Sequence, residues 1–325
     1  MSAAPRLSVI IPHWNGRHHL DDCLNALRRQ TFSDHEVIVA DNGSTDGSQA
    51  YLRDAFPEVR LVELGQNRGF TGACNAGYGV SRGEFVCLLN NDTEADPGWL
   101  AAIVDVFDRC PRVGIVATKL LLFDQRDRFH SAGDIYRLDG IPGNRGVWQR
   151  DAGQYDREES IFGACGAAAA YRRTMVDEIG FLDDRFFFSC EDVDIAWRAH
   201  LAGWEVRYAP AAVVYHKLKA SGGSGVVGSY HDGRNFLYVI WKNYPAALLR
   251  RHAGDILRAQ WRISREALRA WRGAAARARL RGQLAGLLGL GRMWPARRRI
   301  QAARRIDDRT LAARLSPVDA TGGDE

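Results

Sequence analysis

The sequence predicts an α/β fold, in which helices cover a mostly parallel sheet, followed by a basic helical extension. Short apolar runs alternate with segments of helical spacing along the first 245 residues, and parallel strands are normally joined in this way. One of those runs, Phe85–Leu89, is apolar at every position, as expected of a strand buried on both faces. Residues 246–325 hold 18 Arg and 7 acidic residues, a net charge of +11, whereas residues 1–245 carry a net charge of −6.

The individual elements follow from these apolar patterns and from the turn residues between them. Strands are predicted at residues 7–11, 36–40, 59–64, 85–89, 114–117, 161–172, 205–208 and 212–215. Helices are predicted at residues 20–30, 49–56, 72–81, 99–109, 175–179, 192–202 and 230–244. Residues 123–160 are irregular and rich in Gly, Arg and Asp, which predicts loops and a hairpin across the active face. We expect three segments: an α/β domain at 1–245, a basic helical extension at 246–315 and a disordered tail at 316–325.

Composition excludes several classes of protein. The apolar fraction of 46% is that of a globular protein, and no run reaches the ~18 consecutive apolar residues that span a bilayer. The first residues lack the basic and apolar regions of a secretory signal. Six cysteines are scattered without metal-binding or redox spacing, which predicts reduced thiols and a cytoplasmic location.

The motif Asn90-Asn91-Asp92 directly follows the strand Phe85–Leu89 and places a carboxylate at its carboxyl end. Ligands of open α/β sheets bind at this edge. One carboxylate flanked by amides suits a divalent cation that keeps water ligands and shares a diphosphate. The alternative is a plain turn, since Asn and Asp are common turn residues.

Two other strands end in polar residues at the same predicted edge, in the segments Pro12–Asn15 and Asp41–Ser44. Asp41 could accept the N3–H of a pyrimidine ring, with Pro12 and Trp14 flanking the ring. The alternatives are a turn with a helix N-cap for the second segment and ordinary packing for the tryptophan.

A third candidate segment is Gln66–Phe70, together with the small residues that follow it. Small residues there allow a helix to approach the sheet or a ligand closely. Arg68 offers a planar charged fork for phosphate, and Asn75 offers an amide nearby. The alternative for Arg68 is an ordinary surface arginine.

Three acidic residues, Glu191, Asp192 and Asp194, open a helix directly after the aromatic run 186–188. Acidic residues are favoured at helix N-termini, which is the structural alternative. Because the aromatic run is expected to be buried, we expect Glu191 and Asp192 to line a pocket. There Asp192 would act as a general base and Glu191 would bind a substrate hydroxyl. Asp194 faces a different direction and is expected to be structural.

His216 ends the last predicted strand of the domain and could bind a metal or a phosphate. The alternative is a buried histidine with an ordinary hydrogen bond. The residues beyond it, Lys217, Lys219 and the loop 221–225, could close over phosphates.

In this order, the motifs resemble those of the family 2 inverting glycosyltransferases, and in particular the bacterial rhamnosyltransferases that build cell-wall or O-antigen polysaccharide. The matching motifs span about residues 6–245 and are Val9–Asn15, Asp41–Asp46, Asn67–Phe70, Asn90–Asp92, Glu191–Asp194 and His216. The resemblance implies the Rossmann-like GT-A fold. The family's Asp-x-Asp metal motif is matched by Asn90–Asp92, where an amide replaces the first carboxylate, so Asp92 is its one acidic ligand.

The resemblance also implies a role for each candidate residue. Asp192 and Glu191 are the expected catalytic residues, and Asp92 and His216 are the expected ligands of Mg2+ or Mn2+. The expected donor-binding residues are Pro12, Trp14, Asn15, Asp41, Asn42, Ser44, Asn67, Arg68, Gly69, Asn75, Asn90 and Asn91. The implied reaction is inverting transfer from a nucleotide sugar, dTDP-L-rhamnose, to a glycan or polyprenyl-linked acceptor. The alternatives are a UDP-galactofuranose, UDP-GlcNAc or UDP-glucose donor, or a non-catalytic module that binds sugar nucleotides.

The extension places Trp and Leu among many arginines at helical spacing. Such helices bind anionic membrane surfaces, and we expect this one at the inner face of the cell membrane. The alternative is a helical hairpin packed on the α/β domain with a solvated basic face. Nucleic-acid binding is not expected, because no nucleic-acid module accompanies the basic residues. The sequence is compatible with an oligomer.

Overall fold

A mixed sheet in the computed structural model brings several strand ends to one edge of the molecule; the structure describes residues 4–218 and 225–318. The strands are β1 (Leu7–His13), β2 (His35–Asp41), β3 (Arg60–Glu63), β4 (Phe85–Leu89), β5 (Thr93–Ala95), β6 (Val113–Leu122), β7 (Phe129–Ser131), β8 (Asp134–Tyr136), β9 (Pro142–Asn144), β10 (Glu159–Ser160), β11 (Ala168–Arg172) and β12 (Glu205–His216). The helices are α1 (Leu20–Arg28), α2 (Ser48–Ala55), α3 (Gly69–Val80), α4 (Trp99–Arg109), α5 (Arg173–Ile179), α6 (Glu191–Leu201), α7 (Val226–Asn243), α8 (Ala246–Arg251), α9 (Ala253–Arg269), α10 (Ala274–Ala302) and α11 (Asp308–Ala312).

In the described part of the chain, ten strands form the main sheet. Eight of them follow the order β10-β12-β6-β11-β4-β1-β2-β3, while β5 pairs with β12 and β7 with β6. The strands β3, β2, β1 and β4 are parallel, and helices lie in the connections between them. β11 runs antiparallel to both of its neighbours. The predicted α/β fold with a mostly parallel sheet is confirmed.

The register of the parallel strands aligns the polar residues at their ends. His13 pairs with Asp41, and Asp41 pairs with Glu63, so β1, β2 and β3 end side by side. β4 lies on the other side of β1 and ends at Leu89, directly before Asn90. Both faces of β4 are buried, as its continuous apolar sequence predicts.

β12 is one long strand where the sequence predicts two. Its pairing with β6 is irregular between Ala209 and Val213, and Pro210, which has no backbone N–H to donate, lies in this stretch. The strand then continues to His216, which pairs with Thr93 of β5. This continuation carries the histidine to the loop that contains the Asn90 motif.

The region predicted as loops and a hairpin, 123–160, contains four short strands. β8 and β9 form a two-stranded hairpin, while β7 and β10 add to the main sheet. Strands of two or three residues depend on their partner strands more than on local sequence. The sequence pattern therefore does not locate them individually.

The C-terminal extension packs on the α/β domain along α7. Helix α10 runs parallel to α7, and Gly282 and Gly289 of α10 contact Tyr230 and Tyr238 of α7. A Cβ at Gly282 would overlap the Tyr230 carbonyl oxygen, so the two backbones meet at a distance that only glycine allows. One side of α10 is therefore packed on the α/β domain, as in the helical-hairpin alternative.

The end of the described chain is held against the β8 hairpin. The Ser316 N–H donates to the Tyr136 carbonyl at 2.9 Å, and the Leu138 N–H donates to the Ser316 carbonyl at 3.0 Å. The ordered chain therefore extends into the segment predicted as a disordered tail, and residues 319–325 lie outside the described residues. No helix within the described ranges combines the length and apolar character needed to span a bilayer.

Candidate active site

A cleft of about 220 Å3 opens at the carboxyl edge of the parallel strands, between the loops after β1, β2 and β4 and the start of α7. Its lining residues are Pro12, His13, Trp14, Asn42, Asn67, Gly69, Phe70, Asn90, Asn91, Phe187, Phe188 and Val227. Seven of the twelve residues predicted to bind a donor are among them, so the strand ends meet as the sheet geometry predicts. A larger cavity of about 400 Å3 lies against α9 and contains none of the predicted site residues.

The two carboxylate oxygens of Asp41 have different surroundings. Oδ2 accepts hydrogen bonds from the backbone of Gly43 and Ser44 and from Gln49 Nε2, at 3.2, 3.1 and 2.7 Å. Oδ1 is buried and has no hydrogen-bond partner among the described residues. Leaving a buried acceptor unpaired is unfavourable, so a ligand N–H that reached it would be bound. The predicted contact with a nucleobase requires such an acceptor.

Amide side chains hold the neighbouring loops in place. Asn42 Nδ2 donates to Asn67 Oδ1 and to the Gly69 carbonyl, at 3.1 and 2.9 Å. Asn42 Oδ1 accepts the backbone N–H of Arg68 at 2.8 Å. The loop after β3 is therefore tied to the end of β2, and the Arg68 side chain is exposed at the start of α3.

Asn15 and Ser44 join the loops after β1 and β2. The Asn15 N–H donates to Ser44 Oγ at 2.9 Å, and Asn15 Oδ1 accepts the Thr45 N–H at 2.7 Å. Asn15 has a φ of 49°, a conformation that asparagine adopts more readily than most residues. Beside them, Trp14 keeps 53% of its surface exposed, so its ring is available to a planar ligand.

A buried chain of hydrogen bonds orients Asn91. Its Nδ2 donates to His13 Nδ1 at 2.8 Å, and His13 Nε2 lies 2.8 Å from Ser48 Oγ, which donates to Asp46. Because Nδ1 accepts, Nε2 carries the proton of a neutral ring, and burial lowers the pKa of His13 accordingly. His13 was not selected from the sequence as a site residue, although it lies within the first strand-end motif.

Asp92 and His216 face each other where β4 and β12 end. His216 Nε2 lies 3.1 Å from Asp92 Oδ1, and both side chains are buried. The two groups are within hydrogen-bond distance here, and imidazole nitrogen and carboxylate oxygen are both groups that bind divalent cations, so this pair would hold such a cation. His130 of β7, which was not selected from the sequence, places its Nδ1 3.0 Å from His216 Nδ1. When His216 carries its proton on Nδ1 and donates it to His130, its Nε2 is able to bind a cation.

The cation would have two protein ligands at this position. Within the described ranges, no group of three or more His, Cys, Asp or Glu side chains is arranged to hold a metal ion. A diphosphate and water would supply the other ligands, as is common for Mg2+. Next to this pair, the Lys217 N–H donates to the Asp92 carbonyl at 2.9 Å, and its ammonium contacts Asp22. Lys219 and residues 221–224 of the predicted phosphate loop lie outside the described residues.

Asp192 lies beside the end of β4. Its Oδ2 accepts the Gly166 N–H at 2.9 Å, and the Asn90 N–H donates to the neighbouring Ala167 carbonyl at 2.8 Å. Asp192 Oδ1 accepts the Val193 N–H at 2.7 Å. Burial raises the pKa of Asp192, although the N–H groups of Gly166 and Val193 oppose this effect. Asp192 is half-buried, and a raised pKa makes its carboxylate a stronger base than an exposed aspartate.

Two further carboxyl groups surround Asp192. Glu191 is buried, and its Oε2 has no hydrogen-bond partner within the described residues. Burial and the nearby Asp192 charge raise the pKa of Glu191 and that of Asp134, at the start of β8. Asp134 accepts a hydrogen bond from Asn144 Nδ2 at 3.0 Å. It was not selected from the sequence, because it lies in the irregular region where no pattern marks it.

Comparison with known proteins identifies the family. A family model described as glycosyl transferase family 2 matches residues 8–180, which is more than half of the chain. The chain belongs to glycosyl transferase family 2. The predicted family is therefore confirmed, and the protein is a glycosyltransferase. The matched segment ends before Glu191, Asp192 and His216, so their roles depend on the geometry described above.

This family 2 glycosyltransferase is similar to the N-acetylglucosaminyl-diphospho-decaprenol L-rhamnosyltransferase of Mycobacterium tuberculosis. The two are 30% identical over 66% of this chain and 78% of the relative. Residues 1–349 of TarS from S. aureus match its fold with a TM-score of 0.60 and 17% identity, over 92% of this chain and 86% of that one. The mannosyltransferase PcManGT from Pyrobaculum calidifontis, in complex with GDP-Man and Mn2+, matches with a TM-score of 0.53 and 19% identity, over 96% and 86%. These structures confirm the GT-A fold.

The loop that carries the catalytic candidates of this glycosyltransferase is held in an unusual conformation. Phe187, Ser189 and Cys190 have φ values of 62°, 70° and 66°, which are uncommon for residues other than glycine. Asn235 of α7 donates to the carbonyls of Phe186, Phe188 and Ser189, at 3.1, 2.9 and 2.7 Å. Residues in such conformations persist only when their surroundings hold them. Helix α7 therefore positions the start of α6.

Asp194 has a structural environment, as the sequence predicts. It is fully buried and accepts hydrogen bonds from Arg198, Lys242 and Asn243, at 2.8, 2.8 and 2.9 Å. Burial alone would raise the pKa of Asp194, but the charges of Lys242 and Arg198 lower it below the ordinary value. The residue joins α6 to α7 and does not face the cleft lining.

The Asn75 amide bonds to the loop before α6 and is not among the residues that line the cleft. Its Nδ2 donates to the Leu182 carbonyl and to Asp184 Oδ1, at 2.8 and 2.6 Å. These bonds brace α3 against the loop before α6. We therefore leave Asn75 out of the donor site proposed below, since its amide donor already has two protein partners.

Proposed function

We propose that the protein transfers L-rhamnose from dTDP-L-rhamnose to a lipid-linked sugar acceptor with inversion at the anomeric carbon. The observation that carries this proposal is the position of Asp192 beside the strand-end cleft. Asp192 accepts the Gly166 N–H, and the carbonyl of the next residue, Ala167, accepts the Asn90 N–H. The similarity to a rhamnosyltransferase whose name gives N-acetylglucosaminyl-diphospho-decaprenol supports both the sugar and the lipid-linked acceptor.

The donor would bind across the ends of β1, β2 and β4. Asp41 Oδ1 would accept the N3–H of the thymine ring, and Trp14 would cover the ring face. The diphosphate would reach Asp92 and His216. When a divalent cation, Mg2+ or Mn2+, is bound there, it supplies positive charge next to the leaving diphosphate.

With Asp192 as the base for the acceptor hydroxyl, the sugar would be transferred in a single displacement. Asp192 would take the proton from an acceptor hydroxyl, whose oxygen then attacks the anomeric carbon opposite the diphosphate. Glu191 would hold that hydroxyl or a neighbouring one. The C–O bond to the diphosphate breaks as the new glycosidic bond forms, so the anomeric configuration inverts.

A donor panel tests this proposal. The full chain would be incubated with dTDP-L-rhamnose, UDP-GlcNAc, UDP-glucose or UDP-galactofuranose, with and without Mn2+, and its melting temperature recorded. A ligand that binds only the folded state raises the melting temperature according to its affinity. We expect the largest shift with dTDP-L-rhamnose and Mn2+. A larger shift with a UDP-sugar would replace the proposed donor.

Transfer itself would be measured with a soluble GlcNAc-diphospho-lipid analogue carrying a short chain. NMR of the product should show the anomeric configuration opposite to that of the donor. Binding of sugar nucleotides without any transfer to this or another sugar acceptor would favour a non-catalytic binding module.

A further inference from the structure

Exposed apolar side chains are concentrated on one part of the C-terminal extension. Of twelve large apolar residues exposed in the described structure, eight lie on α9, on α10 or in the turn between them. These eight residues are Leu257, Trp261, Leu268, Trp271, Leu284, Leu287, Leu288 and Trp294, and we call them the outer face. Contiguous exposed apolar patches of this kind usually mark a binding surface.

The outer face is continuous across the two helices. Gln283 of α10 bonds to Ser264 and Gln260 of α9, which marks the line along which the helices meet. On α9, residues 257, 261 and 268 lie within about 40° of one another at 100° per residue, next to this line. On α10, residues 284, 287 and 288 flank Gln283 on its exposed side. The two apolar stripes therefore meet on the outside of the pair.

The opposite sides of both helices are already occupied. Ile256, Ala259 and Ala267 of α9 are buried, and Gly282 and Gly289 of α10 contact α7. The outer face is thus what remains after the extension has packed on the domain. Both helices are already packed through their other sides, so the outer face is not needed for folding of the extension.

Positive charge borders the outer face. Residues 246–302 contain 14 Arg and two acidic residues, Asp255 and Glu266. Arginines 258, 262, 265, 269 and 272 are exposed along α9 and its end, and arginines 277, 281, 292, 298 and 299 are exposed along α10. Trp and Leu on a surface bordered by arginines match a bilayer interface, where apolar side chains enter the acyl boundary and cations remain among anionic headgroups.

We propose that the outer face docks the protein on an anionic phospholipid bilayer. The inference extends the proposed function, because a lipid-linked acceptor would be reached from such a surface, but the binding itself does not depend on sugar transfer. A second copy of the chain fits less well, since a symmetric interface would oppose arginine-rich surfaces of the same charge. Nucleic acid fits less well as a partner, because the Leu and Trp side chains of the outer face do not bind phosphate groups.

Docking in this way would keep the cleft near the bilayer. Val227, at the start of α7, lines the cleft, and Tyr230, one turn later, contacts Gly282 of α10. Arg279 of α10 bonds to Asp232 at 3.0 Å, and Asp232 accepts a hydrogen bond from Ser189, which precedes the catalytic candidates. The helix that carries the outer face is therefore joined directly to the rim of the active site.

The test is flotation of the full chain with vesicles. Vesicles of phosphatidylcholine with about a third phosphatidylglycerol, which gives them a negative surface, would be compared with vesicles of phosphatidylcholine alone. We expect binding to the anionic vesicles that weakens with salt. The variant L257Q/W261Q/L284Q/L288Q should lose about tenfold or more in vesicle affinity while its melting temperature is retained.

The matched control is Trp148→Gln, which removes a comparably exposed tryptophan (52%) from the α/β domain. It should bind vesicles as the unmodified chain does. Three results would overturn the proposal: equal vesicle binding by the fourfold variant, no vesicle binding by the unmodified chain, or a dimer that the variant dissolves in the absence of lipid. Transfer of sugar to a water-soluble acceptor should be unchanged in the fourfold variant. Vesicle flotation therefore tests docking, and the transfer assay tests the proposed reaction independently.

Discussion

Asp192 has a carboxylate that is already held by two backbone N–H groups and that lies among other acidic side chains. This arrangement fixes its direction and makes its ionised form less favourable than that of an exposed aspartate. A base must be both oriented and able to accept a proton near neutral pH. The environment of Asp192 meets both needs, while that of Asp194 stabilises a permanent charge.

Replacing Asp192 by Asn should reduce the rate of transfer by about a thousandfold or more, because the amide cannot accept the acceptor proton. Donor affinity, measured by titration with dTDP-L-rhamnose and Mn2+, should remain within about twofold, since Asp192 lies on the acceptor side in the proposed mechanism.

The matched control is Asp194→Asn, two residues along the same helix. It should lower the free energy of unfolding by about 3 kcal/mol, because Lys242 and Arg198 lose a buried partner, with a smaller effect on the rate of the folded fraction. Near-normal turnover in the Asp192 variant would remove this residue from the role of base.

The rate of transfer should depend on the ionisation of Asp192. Burial raises its pKa, so activity should fall as pH decreases through a value above about 4, the ordinary value for aspartate. The rate should rise with pH because the carboxylate, and not the acid, accepts the proton. The measurement is kcat/KM against pH with a soluble acceptor, beside circular dichroism to confirm folding. An acid limb at or below pH 4 would contradict the expected environment.

His130 should matter for the cation and not for the nucleobase. In the variant His130→Phe, the His216 ring loses the partner of its Nδ1, which lies 3.0 Å away. Outer hydrogen-bond partners of this kind typically contribute 10–100-fold to metal affinity, so we expect at least about tenfold weaker Mn2+ binding. Electron paramagnetic resonance of free Mn2+, in the presence of dTDP, measures this directly.

The control for this variant is His252→Phe, in the connection before α9 and away from the cleft. It should leave Mn2+ affinity unchanged. Equal Mn2+ binding by both variants would mean that the His130–His216 contact only contributes to packing.

Helix α7 supports the segment from which α6 begins, and the Asn235 amide contacts three carbonyl groups of that segment. The variant Asn235→Ala should lower the free energy of unfolding by about 2 kcal/mol, at about 1 kcal/mol for each of the two N–H groups that the amide donates. It should also reduce kcat more than donor affinity, because the segment carries Glu191 and Asp192. Thermal unfolding and steady-state kinetics measure the two effects.

Gln301→Ala is a suitable comparison, since that α10 amide makes one such bond, to the Asn243 carbonyl at 2.8 Å. We expect a loss of about 1 kcal/mol and unchanged kcat. If Asn235→Ala affected stability alone, the segment would hold its conformation without the Asn235 amide.

The molecule as a whole combines a cleft at the sheet edge with an extension that lies against the same helix. Gly282 allows this contact, because an added Cβ would overlap the Tyr230 carbonyl. The variant Gly282→Ala should therefore lower the melting temperature, even though alanine is the better helix former.

The control is Gly291→Ala on the same helix, where an added Cβ would meet no atom within 4 Å. It should raise the free energy of unfolding by up to about 1 kcal/mol. Differential scanning calorimetry of both variants checks the contrast. A stabilising effect of both would mean that α10 is not tightly packed on α7.

Local patterns accounted for much of the domain. The long strands and helices follow from apolar periodicity, and the strand-end motifs indicated where the cleft would form. The short strands between residues 123 and 160 and the single long β12 were not recognised, because their pairing partners are distant in sequence. Among the side chains near the candidate site, His130 and Asp134 were not selected for the same reason, and the Asn75 amide bonds to the loop before α6.

The amino-acid sequence by itself determined the fold class, the family and the edge of the sheet at which the candidate cleft lies. These depend on repeated local features, namely apolar runs, turn residues and motif order, which are visible without coordinates. Only the tertiary structure decided that Asp92 meets His216, that Asp192 rests on Gly166, and that one side of the basic extension is packed while the other is exposed. Those relations join residues far apart in the chain, and only the packed sheet and helices fix the distances between them.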